Sequence, residues 1–244
     1  MNSFLFVLIC SMIIFLSTSV GALFVCFIRK INVKTEKICL GLASGIMFAA
    51  SIWSLLLPAI ESTKYIFVIL GFITGILVII KLDNLVSKYN NISLKKNTML
   101  FIAMTLHNIP EGMTVGLMCA YAFNVNSSIT MSMALALTIG ISIQNIPEGA
   151  AISLNYRQVG YSKLKSSMLG IISGIVEPIS AFIMFYVFKN FSFLLPIVLS
   201  SAASIMIYVV INDLIPSANK DDDNYCSIYF IIGFIIMMTL DVLL

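Results

Sequence analysis

The sequence predicts an all-α, polytopic membrane protein of eight transmembrane helices with inverted-repeat character. Three observations carry this. The 244 residues are 60% hydrophobic and only 10% charged, where a soluble domain carries about 25% charged residues. The apolar residues fall into eight stretches, each close to the roughly 20 residues that cross a bilayer. Two of those stretches carry the same polar motif, Asn-Ile-Pro-Glu-Gly, at 108–112 and 145–149.

The first span is Asn2 to Ile28. It has no basic leading segment and is too long for a signal-peptide core, so it reads as a retained helix. Ile38 to Ile60 is the second, with Gly41, Ala43, Ser44, Gly45, Ala49 and Ala50 as close-packing positions. Tyr65 to Leu82 is the third, followed by a polar loop, Asp83 to Asn97. Thr98 to Ala122 and Ser127 to Tyr156 are the fourth and fifth and hold the two motifs. Leu164 to Phe188, Phe191 to Ile215 and Tyr225 to Leu244 complete the set. The whole chain, 1–244, reads as one transmembrane domain.

Eight spans place both termini on one side. Loops one, three, five and seven hold Arg29, Lys30, Lys34, Lys37, Lys81, Lys88, Lys95, Lys96, Arg157, Lys163, Lys165 and Lys220. Of the 14 Lys and Arg residues, only Lys64 and Lys189 fall opposite. Positive charge gathers on the cytoplasmic side, so both termini are expected outside the cytoplasm. The fourth and fifth spans are joined by a short loop and run antiparallel. The motif therefore occurs in opposite senses across the membrane, which places a substrate site near the midplane.

Within the first motif, His107 and Glu111 are four residues apart and share a helix face, and Asn108 adjoins Glu111. Pro110 has no N–H, so the Leu106 carbonyl loses its helical partner and a kink is expected. Gly112 allows a close approach by backbone or ion. Gln144, Asn145, Pro147, Glu148 and Gly149 repeat the pattern, with Ile143 supplying the freed carbonyl. One imidazole with carboxylates and amide oxygens suits a borderline divalent cation such as Zn²⁺, with Fe²⁺, Mn²⁺ or Cd²⁺ as alternatives. No thiolate belongs to the set, which suits a site that releases its ion.

Glu177, in Ser-Gly-Ile-Val-Glu-Pro of the sixth span, is a third intramembrane carboxylate. Such a group costs ~3 kcal/mol or more unless it meets a cation or a proton. It reads as a ligand or a partner of one. Asp213 sits near the cytoplasmic end of the seventh span, where an exit role and a helix-end hydrogen bond are both open. Met47 is a soft thioether in a small-residue stretch, a filler or an auxiliary ligand. Glu61 and Asp241 lie near span ends, and Asp221 to Asp223 read as a solvated loop. The five cysteines are scattered, without a CxxC pair, and read as small apolar residues.

These motifs resemble those of the ZIP (Zrt/Irt-like) divalent-metal transporters, in particular their bacterial, GufA-type branch. His107-Asn108-Ile109-Pro110-Glu111-Gly112 is similar to the family's HNxPEG signature, and Gln144 to Gly149 to its second half. Ser173 to Pro178 and Gly45 to Ser51 also resemble family patterns. The resemblance implies an eight-helix fold with extracytoplasmic termini and a binuclear centre in the fourth, fifth and sixth spans. It implies one site of His107, Glu111, Gln144 and Glu148 with Met47 beside it. It implies another of Asn108, Asn145 and Glu177, bridged by Glu111 and Glu148. It also implies one helix bundle sliding against another. Gln144 stands where many members have His, which weakens that site for zinc. Residues 83–97 lack the histidines many members carry there, and Pro216-Ser217 stands where relatives often have Pro-Glu.

The expected function is uptake of Zn²⁺, or Fe²⁺, Mn²⁺ or Cd²⁺, through the cell membrane (the inner membrane in a two-membrane cell). Proton uptake by the carboxylates is expected to promote release. The expected partners are the cation and the lipid bilayer, with a homodimer left open and no nucleic acid. No prosthetic group is expected, and no enzyme activity. An intramembrane metalloenzyme needs several protein ligands and a general base. This chain has one histidine and no HExxH. A metal-independent proton relay or sensor explains the carboxylates but not the duplicated spacing.

Overall fold

The computed structural model describes residues 2–27, 33–62, 65–89, 95–124, 129–187, 194–219 and 225–243. Among these, every regular element is helical. The elements are α1 (Ser3–Phe27), α2 (Val33–Ala50), α3 (Leu57–Ser62), α4 (Tyr65–Tyr89), α5 (Lys95–Ala122) and α6 (Met131–Gln158). They continue with α7 (Lys163–Gly174), α8 (Val176–Val187), α9 (Leu194–Val209), α10 (Ile215–Ala218) and α11 (Tyr225–Leu243). A π-helical turn, Ser51–Leu56, joins α2 to α3, and a second, Val210–Leu214, joins α9 to α10. Eight rods result, one for each expected span.

Five rods among the described residues are long and apolar enough to cross a membrane: Ser3–Phe27, Lys37–Glu61, Tyr65–Leu85, Lys163–Tyr186 and Pro196–Ala218. Cys226–Leu240 is apolar but shorter. α5 and α6, at 28 residues each, have the length, and the polar motifs dilute their hydropathy.

Prolines act differently along the chain. α5 and α6 continue as helices through Pro110 and Pro147. Pro58 and Pro216 each follow a π turn by two residues. A proline removes one donor, and a π turn lets the ladder skip a carbonyl. The sixth span is split at Ile175, whose N–H bonds to Ile172 O at 3.2 Å. Pro178 cannot donate to the Gly174 carbonyl, and the break falls there, just before Glu177.

The polar loop expected at 83–97 is shorter than its composition suggests. α4 runs on to Tyr89 and α5 begins at Lys95. Lys34 and Lys37 belong to α2 rather than to a loop, and Lys37 is buried. Thr130 caps α6, accepting from Met133 N at 3.2 Å, and Ser162 caps α7, accepting from Lys165 N at 3.3 Å. Such caps satisfy N–H groups the helix leaves unpaired.

The rods pack as two bundles. α1 lies against α5, α6, α7 and α8, and α5 against α6 and α8. α2 lies against α11, and α4 against α9. The bundles meet where α2 faces α6 and α9 faces α5. One apolar core, with Phe6, Cys10, Ile14, Val115, Cys119 and Ile141, fills the first bundle at the N-terminal half of α1. A second, with Met47, Met104, Ile152, Leu199 and Met206, fills the space between the bundles. Cys10, Cys119 and Cys226 are buried and Cys26 and Cys39 half-buried, and none of the five is in a disulfide.

Candidate metal centre

The site is built where α1, α5, α6 and α8 meet. Close approach comes first. A Cβ at Gly112 would strike the Glu177 backbone and Ser180 Oγ, so glycine lets α5 touch α8. A Cβ at Gly149 would strike the Thr18 carbonyl, so glycine lets α6 touch α1. The glycine of each motif therefore admits a neighbouring helix backbone, and that contact sets the depth of the glutamate beside it.

Asn108, Glu111, Gln144, Asn145, Glu148 and Glu177 are all fully buried, each at 0% exposure. Six polar side chains in so dry a place each need a partner. Gln144 Nε2 donates to Glu111 Oε1 at 2.6 Å, linking the two motifs directly. Asn145 Nδ2 donates to Glu177 Oε1 at 3.2 Å. Asn108 Nδ2 donates to the Ser173 carbonyl at 3.1 Å. Thr18 Oγ1 donates to Glu177 Oε1 at 2.7 Å. Glu111 and Glu148 are the carboxylates whose charges act on Glu177.

These bonds fix how the amides are turned. Each NH₂ faces a carbonyl or carboxylate, which only accepts. Each amide oxygen is thereby turned away, and Asn108 Oδ1, Gln144 Oε1, Asn145 Oδ1 and Glu177 Oε2 are buried without a hydrogen-bond partner. Three buried amide oxygens seeking positive charge, with the carboxylates of Glu111, Glu148 and Glu177, form a donor set for a hard or borderline cation.

Among the described residues no three His, Cys, Asp or Glu side chains gather as a metal cluster. The amide oxygens of Asn108, Gln144 and Asn145 are the further donors the described residues offer beside the carboxylates. His107 is one turn before Glu111 on α5, and its side chain lies outside the described residues. Met47 is fully buried in the core between the bundles, where α2 meets α6.

Thr18 is the participant sequence reasoning did not find. Its signal was the small polar run Ser17-Thr18-Ser19 in an apolar helix. Thr114 Oγ1, three residues after Glu111, is also buried but, unlike the Thr18 hydroxyl, has no hydrogen-bond partner. Asp213 lies in the second π turn beside Tyr208, whose hydroxyl donates to Asp83 Oδ2 at 3.1 Å. It stands apart from the buried centre. Glu61 is exposed. Asp221 to Asp223 and the Asp241 side chain lie outside the described residues.

The model of the family described as "ZIP Zinc transporter" matches residues 92–241, the stretch that carries both motifs and Glu177. This chain belongs to the ZIP family. The zinc transporter ZIPB of Bordetella bronchiseptica is 30% identical over 93% of this chain and 77% of its own length. The zinc transporter ZupT of Clostridium perfringens is 26% identical over 100% of this chain and 97% of its own. Human zinc transporter ZIP11 is 39% identical over 62% of this chain, which spans 44% of that longer protein. ZIP membership and the buried oxygen cluster agree, since a transporter of divalent metal needs a polar station inside an apolar bundle.

Proposed function

We propose that this chain carries divalent metal, Zn²⁺ first and Fe²⁺, Mn²⁺ or Cd²⁺ beside it, across the cell membrane into the cytoplasm. The observation that carries this is the turning of Asn108, Gln144 and Asn145. Their NH₂ groups are spent on protein acceptors, and their buried oxygens are left beside Glu111, Glu148 and Glu177. A structural polar cluster would satisfy itself; this one is completed by a cation.

Glu111 and Glu148 neutralise the ion, and Gln144 Oε1 adds an oxygen, with His107 one turn along α5 and Met47 on the facing helix. Asn108 Oδ1, Asn145 Oδ1 and Glu177 Oε2 form the second half of a binuclear centre that Glu111 and Glu148 bridge. Neutral amide oxygens bind divalent zinc less tightly than thiolates, which suits passage over storage. The cluster of Lys and Arg at the odd-numbered connections and the helix ends beside them supports termini outside and transport inward.

The test is flux. Purified protein in liposomes loaded with a metal-sensitive dye is offered each cation in turn. We expect Zn²⁺ influx, abolished in the Glu111→Ala/Glu148→Ala variant. Folded wild-type protein that binds zinc but passes none would overturn the proposal.

A further inference from the structure

A buried polar atom two turns from the centre remains without a role. Asn155 is only 8% exposed, and its Oδ1 is buried with no hydrogen-bond partner. It lies seven residues beyond Glu148 and eleven beyond Gln144 on α6. At 3.6 residues per turn those spacings return it to the same face. At roughly 1.5 Å per residue it sits about 10 Å from Glu148, toward the C-terminal end of α6. α5 runs antiparallel through a short connection, so its inward direction is toward lower numbers. Seven residues inward from Glu111 is Met104, fully buried in the core that also holds Ala151, Ile152 and Tyr156 of α6.

We infer that Asn155 Oδ1, with the Met104 thioether on the facing helix, forms a low-affinity cation station on the inner side of the carboxylate centre. The inference rests on the transport reading given above. Both donors are neutral and weak. Among the described residues, the core that a cation leaving the carboxylates would meet on that side is built largely of apolar side chains, which cannot replace its lost ligands. One amide oxygen and one thioether lower that barrier without creating a trap. An asparagine kept for structure would have its oxygen satisfied; this one costs stability where it stands.

The test compares wild type, Asn155→Leu and Asn155→Ser in zinc-flux liposomes, with thermal unfolding of each in detergent. Asn155→Leu is expected to lower maximal flux about tenfold, or about 1.4 kcal/mol on the barrier, with half-saturation unchanged. Its melting temperature is expected to hold or rise, because an unsatisfied amide has been replaced by an apolar group of similar size. Asn155→Ser keeps an oxygen and is expected to retain about half the flux, the fractional loss that fits a weaker single donor. Wild-type flux in Asn155→Leu overturns the station. Lost flux together with a lowered melting temperature overturns it too, since Asn155 is then a packing residue. Wild-type protein without flux overturns the transport reading itself, and the station with it.

Discussion

Replacing Thr18 by valine removes one hydroxyl and keeps the shape. The hydroxyl donates to Glu177 Oε1 at 2.7 Å, and among the described residues the other side-chain donor to that oxygen is Asn145 Nδ2 at 3.2 Å. The Thr18 bond is the shorter, and it is charge-assisted when Glu177 is ionised. Hydrogen bonds to charged groups contribute about 1.5–3 kcal/mol. With Oε1 held, Oε2 is left buried and without a partner. Without Thr18 the carboxylate swings about its Cγ–Cδ bond and presents Oε2 less often. Partners of this kind hold metal affinity by about 10- to 100-fold, which matches the energy of one such bond. Thr18→Val is therefore expected to weaken zinc binding by at least about tenfold. The assay is competition between purified protein and a chromophoric chelator, with thermal unfolding to show that the variant is folded. An affinity within about twofold of wild type would refute the claim that Thr18 orients a ligand. Tighter binding would refute it more sharply, because Thr18 would then be competing with the metal for Oε1.

Three further outcomes follow from the same geometry. Gly112→Ala pushes a methyl into the Glu177 backbone and Ser180 Oγ, so it is expected to destabilise the protein by about 1–3 kcal/mol, read as a lowered melting temperature, and to reduce flux as α5 and α8 part. Gln144→His exchanges an amide for imidazole, a better zinc ligand. Zinc binding is expected to strengthen relative to Mn²⁺, measured by competition of the two ions for one site. Zinc at about 100 times its dissociation constant is expected to stabilise the fold by about 2.7 kcal/mol; in Glu111→Ala/Glu148→Ala the thermal shift should vanish.

The fold was legible in the sequence because a bilayer imposes one strong rule, that apolar stretches must reach a set length. Eight rods among the described residues stand where the eight spans were expected, and their ends differ by a few residues, α4 running on to Tyr89, α5 beginning at Lys95 and α6 beginning only at Met131. The motif residues were legible for the opposite reason. Asn, Gln and Glu inside an apolar helix have no cheap explanation, so Asn108, Glu111, Gln144, Asn145, Glu148 and Glu177 announced themselves, and all six are buried. What stayed hidden was relational. Pro58, Pro110, Pro147 and Pro216 look alike in sequence, yet two follow π turns and two sit inside continuous α-helices. The choice depends on what the neighbouring rods can do for the freed carbonyl, which no local window contains. Thr18 stayed hidden because a threonine in a membrane helix usually returns its hydroxyl to its own backbone. Thr18 Oγ1 lies 3.3 Å from Ile14 O but 2.7 Å from Glu177 Oε1. The direction of each amide was also invisible, since spacing places Asn145 on a face without saying whether its oxygen or its nitrogen meets Glu177. That direction decides the chemistry. Had the oxygens met the carboxylates, the centre would present NH₂ groups and repel cations; turned as they are, Gln144 and Asn145 hold Glu111 and Glu177, Asn108 holds the Ser173 carbonyl, and on the transport reading proposed above the three free-facing oxygens serve the ion.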